Sequence, residues 1–128
     1  MNKEVENWLS SAKYDLRAAA DMLKAGHCLH TVFLCHLAVE KGLKAKVREV
    51  VGKTPPKTHD LIALLRLSGL RPPDQLLDFL GKLSGASVAT RYPEDLSETS
   101  KLYPRDVAEE YLRRTEEVIQ WITRHLRS

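Results

Sequence analysis

Apolar residues recur at alternating steps of three and four along most of this chain, the spacing that lines one face of an α-helix. The first such run, Trp8 or Leu9, Ala12, Leu16, Ala19 and Leu23, predicts a helix from about Asn2 to Ala25, with Gly26 as its C-terminal stop. A second run, Leu29, Val32, His36, Val39 and Leu43, predicts a helix from about His27 to Val51, ended by Gly52. Phe33, Leu34, Leu37 and Ala38 fill the rows beside that stripe, so this helix is apolar nearly all round for about two and a half turns and needs cover from other elements. With so short a connection between them, the two helices fold back as an antiparallel hairpin.

Beyond Gly52 the pattern breaks. Lys53 to Thr58 reads KTPPKT and excludes helix, because two prolines lack donors and restrict their predecessors. Thr58 is then placed as the N-cap of a short helix from His59 to about Ser68. Arg71-Pro72-Pro73 makes the next break, and Leu76, Leu77, Leu80 and Leu83 mark the buried face of a fourth helix reaching about Ala89. From Thr90 to Tyr103 the periodicity dissolves, which predicts a long connection of the functional or mobile kind. A last helix from Pro104 to about Arg127 carries the stripe Ala108, Tyr111, Leu112, Thr115, Val118, Ile119, Ile122 and Leu126. No strand pattern, repeat or low-complexity tract is present, so the expected architecture is all-α: one domain over 1–128, an up-and-down bundle of four to five helices with the central helix at about 27–51. Trp121, Tyr111 and Tyr103 give the last helix more apolar face than one contact needs, which predicts a two-fold homodimer.

Composition agrees with a soluble globular chain: 43% of residues are hydrophobic and 29% charged. The longest apolar run, near Leu29 to Val39, contains histidines and is well short of the roughly 20 residues of a membrane span. The amphipathic, acid-containing N-terminus resembles neither a secretory signal nor a transit peptide, so the expected location is cytoplasmic. Cys28 and Cys35 lie two helical turns apart, about 10 Å, too far to bridge, and read as reduced thiols. The net charge of +3 weakly favours acidic partners.

Candidate chemistry concentrates at three places. His36, Glu40 and Lys44 stand at successive i, i+4 positions, with Lys41 beside them. Charge on an otherwise buried helix must be paired, wet or functional. The row reads either as a phosphate-accepting set of lysines oriented by Glu40, or as an interhelical ion-pair network; His36 itself reads as a core histidine bonded to a carboxylate. At the second place, Lys57, His59 and Asp60 leave the two-proline turn near a helix start, suited to anion contact or acid–base work or simply to capping. At the third, Arg91 and Tyr92 open the long connection, where a guanidinium fork and an aromatic face can hold phosphate and base, or where Tyr92 anchors the loop and Arg91 pairs with Glu94 or Asp95. No His-Glu-x-x-His, cysteine pair at finger spacing, calcium loop or Gly-rich phosphate loop occurs, so no metal, no cofactor and no Walker-type site is expected.

Four strings in order, the opening set Trp8-Leu9, Ala12, Asp15-Leu16 and Ala19, then CHLAVEKGLKA (35–45), PKTHDL (56–61) and RYPED (91–95), give the whole chain a resemblance to the HEPN domain family. The resemblance implies a helical bundle similar to the C-terminal domain of kanamycin nucleotidyltransferase, commonly a homodimer, often encoded beside a small nucleotidyltransferase-like protein and read with it as a toxin–antitoxin pair. It also implies a nucleotide or RNA as ligand. Active members are metal-independent ribonucleases marked by an Arg followed four to six residues later by a His. This chain departs from that mark, since after Arg91 the next histidine is His125. The nuclease activity is therefore not carried over by motif, and His59 with Arg91 remain the catalytic candidates for a non-standard set.

Overall fold

Backbone chemistry decides where each helix stops. The computed structural model describes residues 1–127 and contains six helices: α1 (Lys3–Lys24), α2 (Cys28–Val51), α3 (Leu61–Ser68), α4 (Asp74–Arg91), α5 (Leu96–Leu102) and α6 (Arg105–Arg124). Asn2 caps α1 by accepting a hydrogen bond from the Glu4 N–H. Gly26 and Gly52 take positive φ values of 85° and 79°, a region that side-chain-bearing residues rarely adopt, and so end α1 and α2. Among the described residues there is no strand, and no helix is long and apolar enough to cross a membrane.

The expected hairpin of α1 and α2 forms. Its antiparallel register is fixed by three contacts: Arg48 with Glu4 at 2.6 Å, Lys41 with Asp15 at 2.8 Å, and the Thr31 hydroxyl donating to the Ala19 carbonyl at 3.2 Å. Helix α2 occupies the centre, packed against α1, α3, α4 and α6. Val32 of α2 packs with Leu23, Ala86 and Ala108, while Val39, Leu43 and Val47 of α2 are buried together with Leu61 and Leu64 of α3, Leu80 and Leu83 of α4, and Val118 and Ile122 of α6. Each such side chain contributes about 1.5–3 kcal/mol by leaving water. Gly42 allows α6 to approach closely: a Cβ there would meet the Ile119 and Ile122 Cδ1 atoms at 3.2 Å. Cys28 and Cys35 are both free thiols, and burial pushes the Cys35 thiol up to about 12, which keeps it protonated and unreactive.

Four expectations are corrected. Asp60, not Thr58, caps α3, because its carboxylate reaches the Ile62 and Ala63 N–H groups at 3.0 and 3.2 Å; the Thr58 hydroxyl accepts instead from the Asp60 N–H. On α4 the buried face is Phe79, Leu80 and Leu83, while Leu77, one step round the helix, is 40% exposed. The connection after α4 is not irregular throughout: α4 runs on to Arg91, and Asp95 caps the seven-residue helix α5, which buries no residue and therefore shows no apolar period. Finally, the aromatic surplus assigned to the last helix is consumed within the chain. Trp121 is buried, and Tyr111 packs edge to face on Phe79 and Tyr103 at centroid distances of 5.6 and 5.9 Å. Exposed apolar side chains lie elsewhere, among them Val88, Tyr92, Leu96 and Leu102 at the end of α4 and on α5.

Candidate functional site

The charged row of α2 converges on Glu40. Its side chain is 5% exposed, and its two oxygens face different partners: Oε2 accepts from Lys44 Nζ at 3.1 Å, and Oε1 accepts from His59 Nδ1 at 2.8 Å. Helical spacing brings Lys44 there, one turn on; the rigid Pro55-Pro56 turn brings His59. Lys44 is itself 8% exposed and lies 5.5 Å from the centroid of Trp8, so its ammonium is shared between a carboxylate and an aromatic face. A charge pair this deep is held only because each member has a partner.

His36, fully buried, completes the cluster, although a backbone group and not a carboxylate holds its ring. Nε2–H donates to the His59 carbonyl at 3.0 Å, while Nδ1 stands 3.8 Å from Glu40 Oε1 with no hydrogen-bond partner. Burial lowers its pKa against the opposing pull of Glu40 and of the bond to the His59 carbonyl, and the nearby Arg91 pushes the same way as burial. His36 is therefore neutral. His59 is fixed twice, through its carbonyl by His36 and through Nδ1 by Glu40. These partners assign its proton to Nδ1 and leave Nε2, on a side chain 59% exposed, as a free acceptor at the surface.

Arg91, the last residue of α4, sits 5.1 Å from the Phe33 centroid, close enough to act on His36. It forms no ion pair with Glu94 or Asp95, and its Nη2 is buried without a hydrogen-bond partner. Beside it Tyr92 projects outward, 73% exposed, and so anchors nothing. Of the other candidates, Lys57 is exposed next to His59, and Asp60 is committed to the α3 cap. Lys41 points away from the cluster to Asp15. Sequence reasoning assigns no role to that buried Asp15, although it falls in register with Ala12 and Ala19 on the apolar stripe of α1, which is the signal that could have found it. Phe33 beneath Arg91 has no such signal, because the two are distant in sequence. Among the described residues no group of three or more His, Cys, Asp or Glu side chains is placed to hold a metal ion.

The arrangement can bind an anion through Arg91, which together with His59 acts on the buried His36, and His59 Nε2 is placed to accept a proton. It offers no second free acid, since Glu40 is occupied on both oxygens.

The model of the HEPN domain matches residues 5–126 of the chain. Two solved structures superpose on nearly all of it. The crystal structure of TT1696 from Thermus thermophilus is 26% identical with a TM-score of 0.83, covering 98% of this chain and 100% of that one. ST0689, an archaeal HEPN homologue, is 23% identical with a TM-score of 0.78, again over 98% and 100%, and shows likeness of fold. Comparison with curated proteins gives no significant match.

Proposed function

The chain belongs to the HEPN domain family, and from that premise we propose that it is an accessory, non-nucleolytic binding protein. In this reading it is a homodimer that engages a separately encoded nucleotidyltransferase-like protein, as in toxin–antitoxin pairs, and holds a nucleotide or RNA phosphate at the rim formed by Lys57, His59, Arg91 and Tyr92. The observation that carries the reading is the uncommitted Arg91. Its guanidinium is steadied on Phe33 and has no carboxylate partner, and among the described residues it is the one arginine with a side-chain nitrogen that is buried and unpartnered. A planar guanidinium with one buried donor still unmatched, next along the chain to the exposed Tyr92 ring, suits phosphate with a stacked base once the fork turns outward. The exposed Val88 on α4 and Leu96 and Leu102 on α5 supply apolar surface of the kind that subunits cover. Lys41 and Lys44 take no part, since Asp15 and Glu40 neutralise them.

Calorimetric titration with ATP, GTP and a short single-stranded RNA tests the site. One of these is expected to bind, and Arg91→Ala to weaken it about tenfold or more, in line with loss of a charge-assisted contact. Binding that is unchanged in Arg91→Ala overturns the assignment.

A second reading is favoured by one specific contact, the 2.8 Å bond from His59 Nδ1 to Glu40. A carboxylate that orients an imidazole leaves Nε2 as a general base, able to take the 2′-hydroxyl proton of RNA, while Arg91 stabilises charge on the phosphate. Incubation of RNA with the wild-type chain, His59→Ala and Arg91→Ala separates the two readings: cleavage lost in both variants makes the protein a ribonuclease, and equal, negligible cleavage by all three leaves the binding role.

A further inference from the structure

An open groove lies away from this cluster, between α1 and α6, with a volume of about 640 Å³. Both walls are built alike. Lys13, Leu16, Arg17 and Ala20 follow one another at i, i+3, i+4 and i+7 on α1, and Glu116, Ile119, Gln120 and Thr123 repeat that spacing on α6. Seven residues of helix rise about 10 Å, so the groove accepts about two turns of a third helix lying between the two ridges. Leu16, Ala20 and Ile119 form an apolar floor. Its rim is basic. Lys13, Arg17 and Arg124 stand against the single acid Glu116, and none of the three has a carboxylate within ion-pair distance among the described residues. On the outer face of α6 the opposite holds: Arg105, Arg113 and Arg114 are satisfied by Glu109, Glu110 and Glu117.

We infer that this groove is the docking site for an acidic amphipathic helix of a partner protein, whose apolar i, i+3/i+4, i+7 row seats on Leu16, Ala20 and Ile119 while flanking carboxylates meet Lys13, Arg17 and Arg124. Charge complementarity selects this occupant over a second copy of the chain, because a two-fold contact centred on the groove sets the same three cations against themselves. A nucleic-acid backbone would match the rim and leave the apolar floor unused. The inference rests on the proposed function only for the existence of a protein partner; it does not depend on the Arg91 rim.

The test uses the full chain and a labelled synthetic helix about four turns long, with leucines on one face and glutamates on both flanks, read by fluorescence anisotropy. A control helix replaces every glutamate by lysine. The acidic helix is expected to bind at least about tenfold more tightly than the basic one, and more weakly as salt rises. The combined Lys13→Glu, Arg17→Glu and Arg124→Glu variant is expected to lose that binding, and Ala20→Leu, which fills the floor while keeping a good helix former, to weaken it about fivefold or more. Circular dichroism checks that both variants keep their helix content. Equal binding of the two helices, indifference to Ala20→Leu, or a change of oligomeric state on charge reversal each overturns the inference, the last by making the groove a contact between copies. Nucleotide titrations on the same preparations keep the two proposals apart: Arg91-dependent binding that survives while helix binding is absent sinks the groove alone.

Discussion

Glu40 and Arg91 are both charged side chains near one buried histidine, and the bundle treats them oppositely. Glu40 is enclosed in the middle of α2 and saturated, with Lys44 on one oxygen and His59 on the other. Arg91 closes α4 half-buried at the edge of the bundle, with a ring beneath it and one buried donor unmatched. Saturation makes a group structural, because nothing is left to offer a ligand and much is lost if a partner goes. Incomplete satisfaction at a rim is where recognition can be added without unfolding anything. The centre of α2 therefore reads as a clamp that sets the position of His59, and the end of α4 as the place where binding happens.

The sharpest way to break this comparison is to empty the clamp. Glu40→Gln leaves the Lys44 ammonium buried without its counter-charge and a single acceptor oxygen where Lys44 and His59 each had one, and is expected to cost about 3–5 kcal/mol of stability, measured from the midpoint of urea denaturation. Replacing both members, Glu40→Met with Lys44→Met, removes the stranded charge and is expected to recover most of that loss. A cost below about 1 kcal/mol for Glu40→Gln would mean that water already serves the row. The distinction between a closed centre and an open rim would then fail.

The two regions also differ in how far they can be read without coordinates. The i, i+4 arithmetic that places Glu40 between His36 and Lys44 is local, and the hairpin, the centrality of α2 and the all-helical class follow from apolar periods within single segments. The outer end of the site is not local. The Glu40–His59 bond depends on how the proline turn crosses α2, and Arg91 meets Phe33 across more than fifty positions of chain, about which spacing says nothing. Helix α5 is invisible to periodicity for a related reason: it buries no residue, so its only trace is the Asp95 cap, and caps are weaker signals than stripes. Thr58 and Asp60 are both good capping residues, two apart, and only the path of the backbone decides which of them caps α3.

At the rim the expected pattern is reversed, with small effects on stability and larger ones on binding. Tyr92→Ala is expected to change stability by less than about 0.5 kcal/mol, since the ring supports nothing. Arg91→Ala forfeits its place over Phe33, worth about 0.5–1 kcal/mol. Loss of the stacking face at Tyr92 is expected to cost about 1–3 kcal/mol of affinity for whichever nucleotide or RNA binds. Denaturation curves and titrations on the same two variants give both quantities. A Tyr92→Ala protein that loses stability and keeps its affinity would show the ring to be a packing residue.

The mildest probe acts on the histidine that both regions share. His36 is held neutral chiefly by burial, with Glu40 and the bond to the His59 carbonyl opposing it and Arg91 adding to it, so its folded pKa lies below the ordinary value of 6.5. Below pH 6.5 the unfolded chain takes up a proton there that the folded chain refuses. The unfolded state then binds more protons, and stability must fall as the pH is lowered through that window. One such group contributes a slope of at most about 1.4 kcal/mol per pH unit, vanishing well above about pH 6.5. Glu49 and Glu110, whose pKa values are lowered, lose their contributions only below about pH 4.5, which leaves the interval from 4.5 to 6.5 to His36. His36→Gln, which keeps a donor for the His59 carbonyl and cannot titrate, is expected to flatten the stability profile in that interval. Arg91→Ala removes a cation that opposes protonation and so raises the folded pKa of His36 towards its unfolded value. The loss then begins at the same pH, ends at a higher one and is smaller in total. If the profile of Arg91→Ala runs parallel to that of the wild type throughout, the guanidinium does not act on His36, and the rim and the centre are electrically separate.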